Sequence, residues 1–109
     1  MRVAELDGEL VGVLVVGPAH DYVPPTDEPE VYVRLLVTSR DHGGLGIGTA
    51  LLDEARSLAR STGISLLRVD CYGGDDRSLV RFYEKAGFTP VSEFKVGDWP
   101  GQLLAQRLS

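Results

Sequence analysis

The chain has 109 residues, 43% of them hydrophobic and 25% charged, with a formal net charge of −5. That length and balance suit one small domain around a single core and do not suit a disordered chain. No apolar run approaches the roughly 18 residues of a membrane span, no signal-like segment opens the sequence, and the Lys and Arg residues are scattered, so neither a membrane nor a nucleic-acid partner is expected and a cytoplasmic setting is. Cys71 stands alone, which rules out an internal disulfide, and His20 and His42 have no companions at ligand spacing, so no metal site is expected.

Arg2 to Leu6 and Leu10 to Val16 are rich in β-formers and are separated by Asp7-Gly8-Glu9, a pattern that predicts a hairpin. Gly17 to Glu30 carries Pro18, Pro24, Pro25, Pro29 and several acids, and is expected as a surface loop whose Asp27-Glu28-Pro29-Glu30 stretch is solvated. Val31 to Val37 reads as a central strand that feeds a loop over Ser39 to Gly48. From Thr49 to Arg60, Leu51, Leu52, Ala55, Leu58 and Ala59 recur at helical spacing, and Gly63 follows as a stop.

Ile64 to Cys71 alternates, with Leu67, Val69 and Cys71 on one side and Arg68 and Asp70 on the other, as a strand with unlike faces would. Gly73-Gly74-Asp75-Asp76 offers a turn and helix caps. Leu79, Phe82, Tyr83 and Ala86 then fit one face of a second helix that Gly87 can end. Two last strands are expected over Thr89 to Val96 and Gln102 to Leu108, around a loop from Gly97 to Gly101. The order β-β-β-α-β-α-β-β implies an α/β (α+β) domain with a mixed sheet.

The run Gly43-Gly44-Leu45-Gly46-Ile47-Gly48-Thr49 sets a glycine-dense turn against a helix start, where free amides and the positive end of the macrodipole suit an anion. A Walker loop would need Lys before the Ser or Thr, and Gly48 precedes Thr49 instead. A dinucleotide fingerprint G-x-G-x-x-G/A begun at Gly44 or Gly46 reaches Thr49 or Leu51, neither of them small enough; only Asp70, about 20 residues on, speaks for a ribose.

The same run resembles the pyrophosphate-binding signature [Q/R]-x-x-G-x-G/A of the GNAT superfamily of acyl-CoA-dependent N-acyltransferases, matching at Gly46 and Gly48 and departing at Gly43, with Arg40 just upstream. Leu79 to Phe88 resembles the family's N-x-x-A-x-x-x-Y-x-x-x-G-F pattern at Tyr83, Gly87 and Phe88, with Asp76 for the usual Asn and Leu79 for the usual Ala. The resemblance covers essentially the whole chain. It implies a mixed, largely antiparallel sheet with helices packed on it, and an N-acetyltransferase that takes the acetyl group of acetyl-CoA to a primary amine.

By the same resemblance, Leu35-Leu36-Val37 pair with the pantetheine arm and polarise the thioester, Gly43 to Thr49 hold the pyrophosphate, and Asp76 contacts the cofactor. Tyr83 stands where the general acid does. Asp70 is the candidate base, although a carboxylate is a weak direct base toward an ammonium of pKa near 10.4; Glu84, Glu93 or a recognition role for Asp70 are alternatives. Family members usually begin with a strand and two helices that wall the acceptor site, whereas Met1 opens at the hairpin. A partner subunit, an open pocket or a shortened protein each account for that, and an exposed edge at Arg2 to Leu6 suggests a homodimer.

Other readings of the same residues follow from local context. Tyr83 also fits a core aromatic, Asp75 and Asp76 fit helix caps, and Cys71 fits a small strand residue with no histidine to activate it. His42 fits a loop decoration, and Asp98-Trp99-Pro100 fits a turn with an aromatic anchor or part of an acceptor rim. A non-catalytic CoA-binding or interaction module is the alternative to the enzyme, and a dinucleotide-binding domain is a third reading.

Overall fold

A computed structural model describes residues 1–39, 46–74 and 77–108. Six strands and two helices follow in the expected order: β1 (Arg2–Leu6), β2 (Glu9–Gly17), β3 (Val31–Thr38), α1 (Ile47–Ser61), β4 (Leu66–Tyr72), α2 (Ser78–Lys85), β5 (Thr89–Val96) and β6 (Trp99–Arg107). They form one sheet in the order β1-β2-β3-β4-β6-β5. Every pairing is antiparallel except β3 with β4, which α1 connects. The mixed, largely antiparallel α+β architecture is therefore the one expected.

Turn chemistry explains the hairpins. Asp7 and Gly8 both have positive φ, 52° and 82°, as a tight Asp-Gly turn with right-handed strand twist requires. At the second hairpin the turn is shorter than expected: Gly97 at φ 60° and Asp98 alone connect Val96 to Trp99. Trp99, Pro100 and Gly101 thus belong to β6 rather than to a loop. Pro100 is tolerated because it lies at the strand's beginning, where a missing donor matters least.

Both helices stop by the same device. Gly63 at φ 75° donates to the Arg60 carbonyl while Ile64 donates to that of Ala59; Gly87 at φ 106° donates to Glu84 while Phe88 donates to Tyr83. This double bond around a left-handed glycine satisfies carbonyls that a helix end leaves open. The α2 N-cap is Arg77, at φ 58°; Asp75 and Asp76, expected as helix caps, lie outside the described residues.

The main core lies between the helices and one sheet face, where Leu51, Leu52, Ala55 and Ala59 of α1 and Val80 and Tyr83 of α2 meet Leu14, Val33, Leu67, Val69 and Leu104. A smaller cluster of Val23, Tyr32 and Leu103 covers the other face. Residues 18–30 form a largely exposed loop without helix or strand, as expected, that buries Val23 against this face and leaves Glu28 and Glu30 half-buried. Arg68, expected on a polar face, is buried: it donates to both carboxylate oxygens of Glu30 at 2.5 and 3.0 Å and to the Pro24 carbonyl at 2.8 Å. Arg107 forks onto Glu28 in the same way.

Arg56 is the buried charge that joins three elements. It is 8% exposed and donates to Gln106 Oε1 of β6 at 2.8 Å, to the Ala86 carbonyl at the α2 C-cap, and to Asp53 at 2.7 Å, with its guanidinium 5.7 Å from the Phe88 ring centroid. Arg56→Ala removes the donor from two part-buried acceptors, Gln106 Oε1 and the Ala86 carbonyl, and is expected to lower stability by about 2–4 kcal/mol. Asp53→Ala, at an exposed partner, is expected to cost less than about 1 kcal/mol. Urea denaturation of the two variants measures the difference, and equal midpoints would refute the assigned role.

Candidate functional site

The β3–β4 ladder covers only Val31, Val33 and the residue between them against Leu67 to Val69. β4 instead follows β6 along its full length, from Leu66 opposite Arg107 to Tyr72 opposite Gly101. In β3 the pairing with β2 jumps from Val16–Val33 to Val15–Leu35, so Arg34 is an extra residue. Such a bulge bends and twists its strand. Beyond Val33 and Val69 the strands therefore part, and the facing edges of both lack a strand partner.

On the helix face, the opening continues into a cleft of about 490 Å³ at the start of α1. Gly46, Ile47, Gly48 and Thr49 form its floor, with Thr38 and Ser39 at the end of β3. Leu36, Leu79, Phe82 and Tyr83 supply the apolar wall. Gly46 caps α1 in the left-handed conformation at φ 72°, no side chain occupies the cap, and the first turn carries no acid. Its leading amides are thus available to an anion at the positive helix end. Close packing depends on missing side chains: a Cβ at Gly48 would stand 3.0 Å from Phe82 Cζ, and one at Gly12 of β2 2.9 Å from Ile47 and Leu51.

The opening itself is a slot of about 270 Å³ lined by residues from both faces of the sheet. Leu36, Leu79 and Tyr83 line it as well as the cleft, so the two spaces adjoin at these residues. Arg34, Asp70, Tyr72 and Trp99 border its other mouth, and Val69 and Cys71 lie along β4 between them. Tyr83 and Asp70 thus attend one slot from opposite sides of the sheet.

Tyr83 is buried, and its ring meets Phe82 and Phe88 edge-on at 5.1 and 5.6 Å between centroids. Burial, with Cys71 and Asp70 nearby, raises its pKa well above the ordinary tyrosine value near 10, so it stays a neutral phenol. Asp70 accepts from two phenols: Tyr32 Oη donates to Oδ1, and Tyr22 Oη to Oδ2 at 3.4 Å. Burial first and Asp70 second raise both of these tyrosines too, for Tyr32 with the bond to Asp70 ahead of its charge, which keeps them protonated donors. Cys71 is a buried thiol whose pKa is pushed up to about 11, chiefly by burial and then by Asp70.

Of the expected site residues, Gly46, Ile47, Gly48 and Thr49 line the cleft, with Ile47 and Gly48 already inside the helix rather than in a preceding loop. Leu35 and Leu36 line the slot, Val37 is exposed on the same strand, and Tyr83 and Asp70 face the slot. Gly43, Gly44, Leu45 and Asp76 lie outside the described residues, as do Arg40 and His42. Sequence reasoning missed Thr38, Ser39 and Phe82 in the cleft, and Tyr22 and Tyr32 on Asp70. For Phe82 the signal was present, since it shares the helix face of Tyr83. Among the described residues no cluster of three His, Cys, Asp or Glu could hold a metal.

A sequence profile described as the acetyltransferase (GNAT) family matches residues 1–88. None of the curated proteins compared matches the chain by sequence. Among solved structures, Ard1 from Thermoplasma volcanium is 21% identical with a TM-score of 0.79, over 98% of this chain and 69% of that one. Ribosomal-protein-alanine N-acetyltransferase from Brucella melitensis is 23% identical with a TM-score of 0.74, over 97% and 67%. A Bacillus anthracis protein assigned as a streptothricin acetyltransferase, in complex with acetyl coenzyme A, is 16% identical with a TM-score of 0.75, over 98% and 61%. At these identities the likeness is one of fold.

The state of Cys71 can be checked directly. With a pKa of about 11, its thiolate fraction at pH 7.5 is on the order of 100-fold below that of an ordinary thiol of pKa near 8.5. Reaction with an aromatic disulfide reagent is expected to be slower by about that factor, and to rise nearly tenfold per pH unit until about pH 11. A fast reaction at neutral pH would show a nucleophile where the structure has a packing residue.

Proposed function

The chain belongs to the acetyltransferase (GNAT) family, and on that premise we propose that it transfers the acetyl group of acetyl-CoA to a primary amine by direct attack of the amine on the thioester. The observation that carries this reading is that the α1 cleft and the slot share Leu36, Leu79 and Tyr83 while the slot also reaches Asp70, Tyr72 and Trp99, so that a donor on the helix face would lie beside an acceptor arriving from the other. When bound, acetyl-CoA supplies an acyl group activated as a thioester.

The chain's own groups fit the parts of such a donor. Amides of Ile47, Gly48 and Thr49, with no acid among them, suit the pyrophosphate. Leu36, Leu79 and Phe82 give the apolar walls that a pantetheine arm needs. The free edge of β3 over Leu35 to Val37 offers backbone groups to pair with that arm and to polarise the carbonyl.

Tyr83 is the proposed proton donor to sulfur. As a neutral phenol inside the slot, it meets the charge that develops as the C–S bond breaks, while the amine forms its bond to carbon and loses a proton on the acceptor side. The proton leaving nitrogen balances the one sulfur gains. Asp70, at the acceptor mouth, is a recognition group for the incoming ammonium and a relay toward water rather than a direct base.

Release of free CoA thiol in the presence of an amine panel tests the transfer. Tyr83→Phe is expected to lower kcat by roughly 10²–10⁴-fold with CoA affinity within about twofold of the parent. Gly48→Val, which drives a side chain against Phe82, is expected to weaken CoA binding by at least about tenfold. Saturable CoA binding with no thiol release from any amine would instead make the chain a binding module.

A further inference from the structure

Six rings run in an unbroken arc along the sheet face opposite the helices. Tyr32 meets His20 edge-on at 5.9 Å, His20 stacks on Tyr22 at 4.9 Å, Tyr22 meets Phe94 at 5.4 Å, Phe94 meets Trp99 at 6.2 Å, and Trp99 meets Tyr72 at 6.0 Å. The arc is only partly buried: Tyr22 is 42% exposed and Trp99 40%. Gly101 lies beneath it on β6, where a Cβ would collide with both Phe94 and Trp99, so the absence of a side chain lets the rings lie low over the strand. Two members, Tyr72 and Trp99, border the slot.

Asp70 stands inside the curve. Both of its oxygens accept from ring hydroxyls, those of Tyr32 and Tyr22, and none of the salt bridges among the described residues involves it. The buried cation behind Tyr32, Arg68, is neutralised by Glu30. A carboxylate held by neutral donors at the centre of a partly exposed aromatic surface is complementary to one organic cation, with rings for its apolar body and a negative charge for its nitrogen. Arg34 borders the same slot mouth and reaches away beside His20, donating to Nδ1 at 3.3 Å and to the Pro18 carbonyl at 2.6 Å. Its charge opposes a second cationic group on the ligand.

We propose that this arc and Asp70 bind the acceptor, and that the acceptor is a singly charged primary amine carrying an aromatic or similarly flat apolar group within a few bonds of its nitrogen. The identity of this ligand as acceptor rests on the acetyl-transfer reading; its binding does not. Asp70 holds the ammonium at the slot mouth, and the rings of Trp99, Phe94 and Tyr22 cover the apolar group. Polyamines and simple alkylamines are disfavoured, the first by Arg34 and the second by the rings they leave uncovered.

Trp99 is the chain's single tryptophan, so its emission reports on this surface and on nothing else. The full chain is titrated with phenethylamine, butylamine, spermidine and 2-phenylethanol, with and without CoA, by Trp99 fluorescence and calorimetry. Phenethylamine is expected to shift the emission saturably and to bind at least about tenfold more tightly than each of the others, which lack the ring, exceed the charge or lack the charge. Asp70→Asn is expected to remove most of that preference over 2-phenylethanol while CoA affinity is kept; Gly101→Val, which displaces the rings, is expected to remove the preference over butylamine.

Equal binding of butylamine or tighter binding of spermidine by the unmodified chain overturns the proposal, and this comparison needs no variant to fold. Thiol release separates the two readings. Selective phenethylamine binding without CoA release upholds this site and refutes the transferase, whereas CoA release with alkylamines and no preference for phenethylamine upholds the transferase and refutes this site.

Discussion

β3 and β4 start as parallel neighbours at Val31 and Leu67 and separate after Val33 and Val69, because each is bound more extensively on its other side. β3 keeps β2 out to Thr38, and β4 keeps β6 out to Tyr72. The extra residue at Arg34 adds twist where the ladder ends. Backbone groups that a continuous sheet would satisfy internally are therefore left facing each other across a gap. Such groups need water or a ligand, since a buried and unmet amide or carbonyl costs about 1–3 kcal/mol. Cleft and slot both follow from that separation.

Holding the gap open at one fixed width requires that both walls be rigid. The α2 wall is fixed from its C-terminal end. Phe88 donates its amide to the Tyr83 carbonyl and lays its ring against the Tyr83 ring, while Gly87 takes the left-handed turn that makes both contacts geometrically compatible. Arg56 of α1 then binds the Ala86 carbonyl and lies over Phe88, tying the two helices together. Arg77, at the other end of α2, donates to Gln102 of β6 at 2.9 Å. The spacing of Tyr83, Gly87 and Phe88 is thus a helix-ending device that also sets the position of a phenol at the slot.

This explains which parts were legible in the sequence. Asp7-Gly8, Gly63, Gly87 and the helical spacing of Leu51 to Ala59 act over a few residues, so their consequences can be read locally. The bulge at Arg34 cannot be, because it is a mismatch between two strands. Trp99 to Gly101 read as a loop since Pro and Gly dominate the window, whereas they pair with Val96, Lys95 and Phe94 of the same hairpin and Gly101 pairs also with the distant Tyr72. The pairing of Glu28 and Glu30 within the surface loop was not legible, because their positive partners are Arg107 and Arg68, 79 and 38 positions distant. Tyr22 and Tyr32 likewise reach Asp70 across 48 and 38 positions.

The two faces of the slot consequently encode their chemistry in different ways. On the helix face the useful groups are backbone: amides at the α1 start and the free β3 edge, brought within reach by Gly12, Gly46 and Gly48. Backbone recognition asks little of residue identity except where a side chain must be absent, so it leaves a compact glycine signature suited to a donor common to many proteins. On the opposite face the groups are side chains, supplied by a covering segment, two central strands, β5 and β6. Their positions depend on Arg68–Glu30 and Arg107–Glu28 pairing that holds the covering segment against the sheet. A motif can therefore identify the donor while leaving the acceptor unread. On the proposed reading, specificity for the acceptor rests on non-local contacts, and a change in residues 18–30 would alter it without disturbing the α1 cleft.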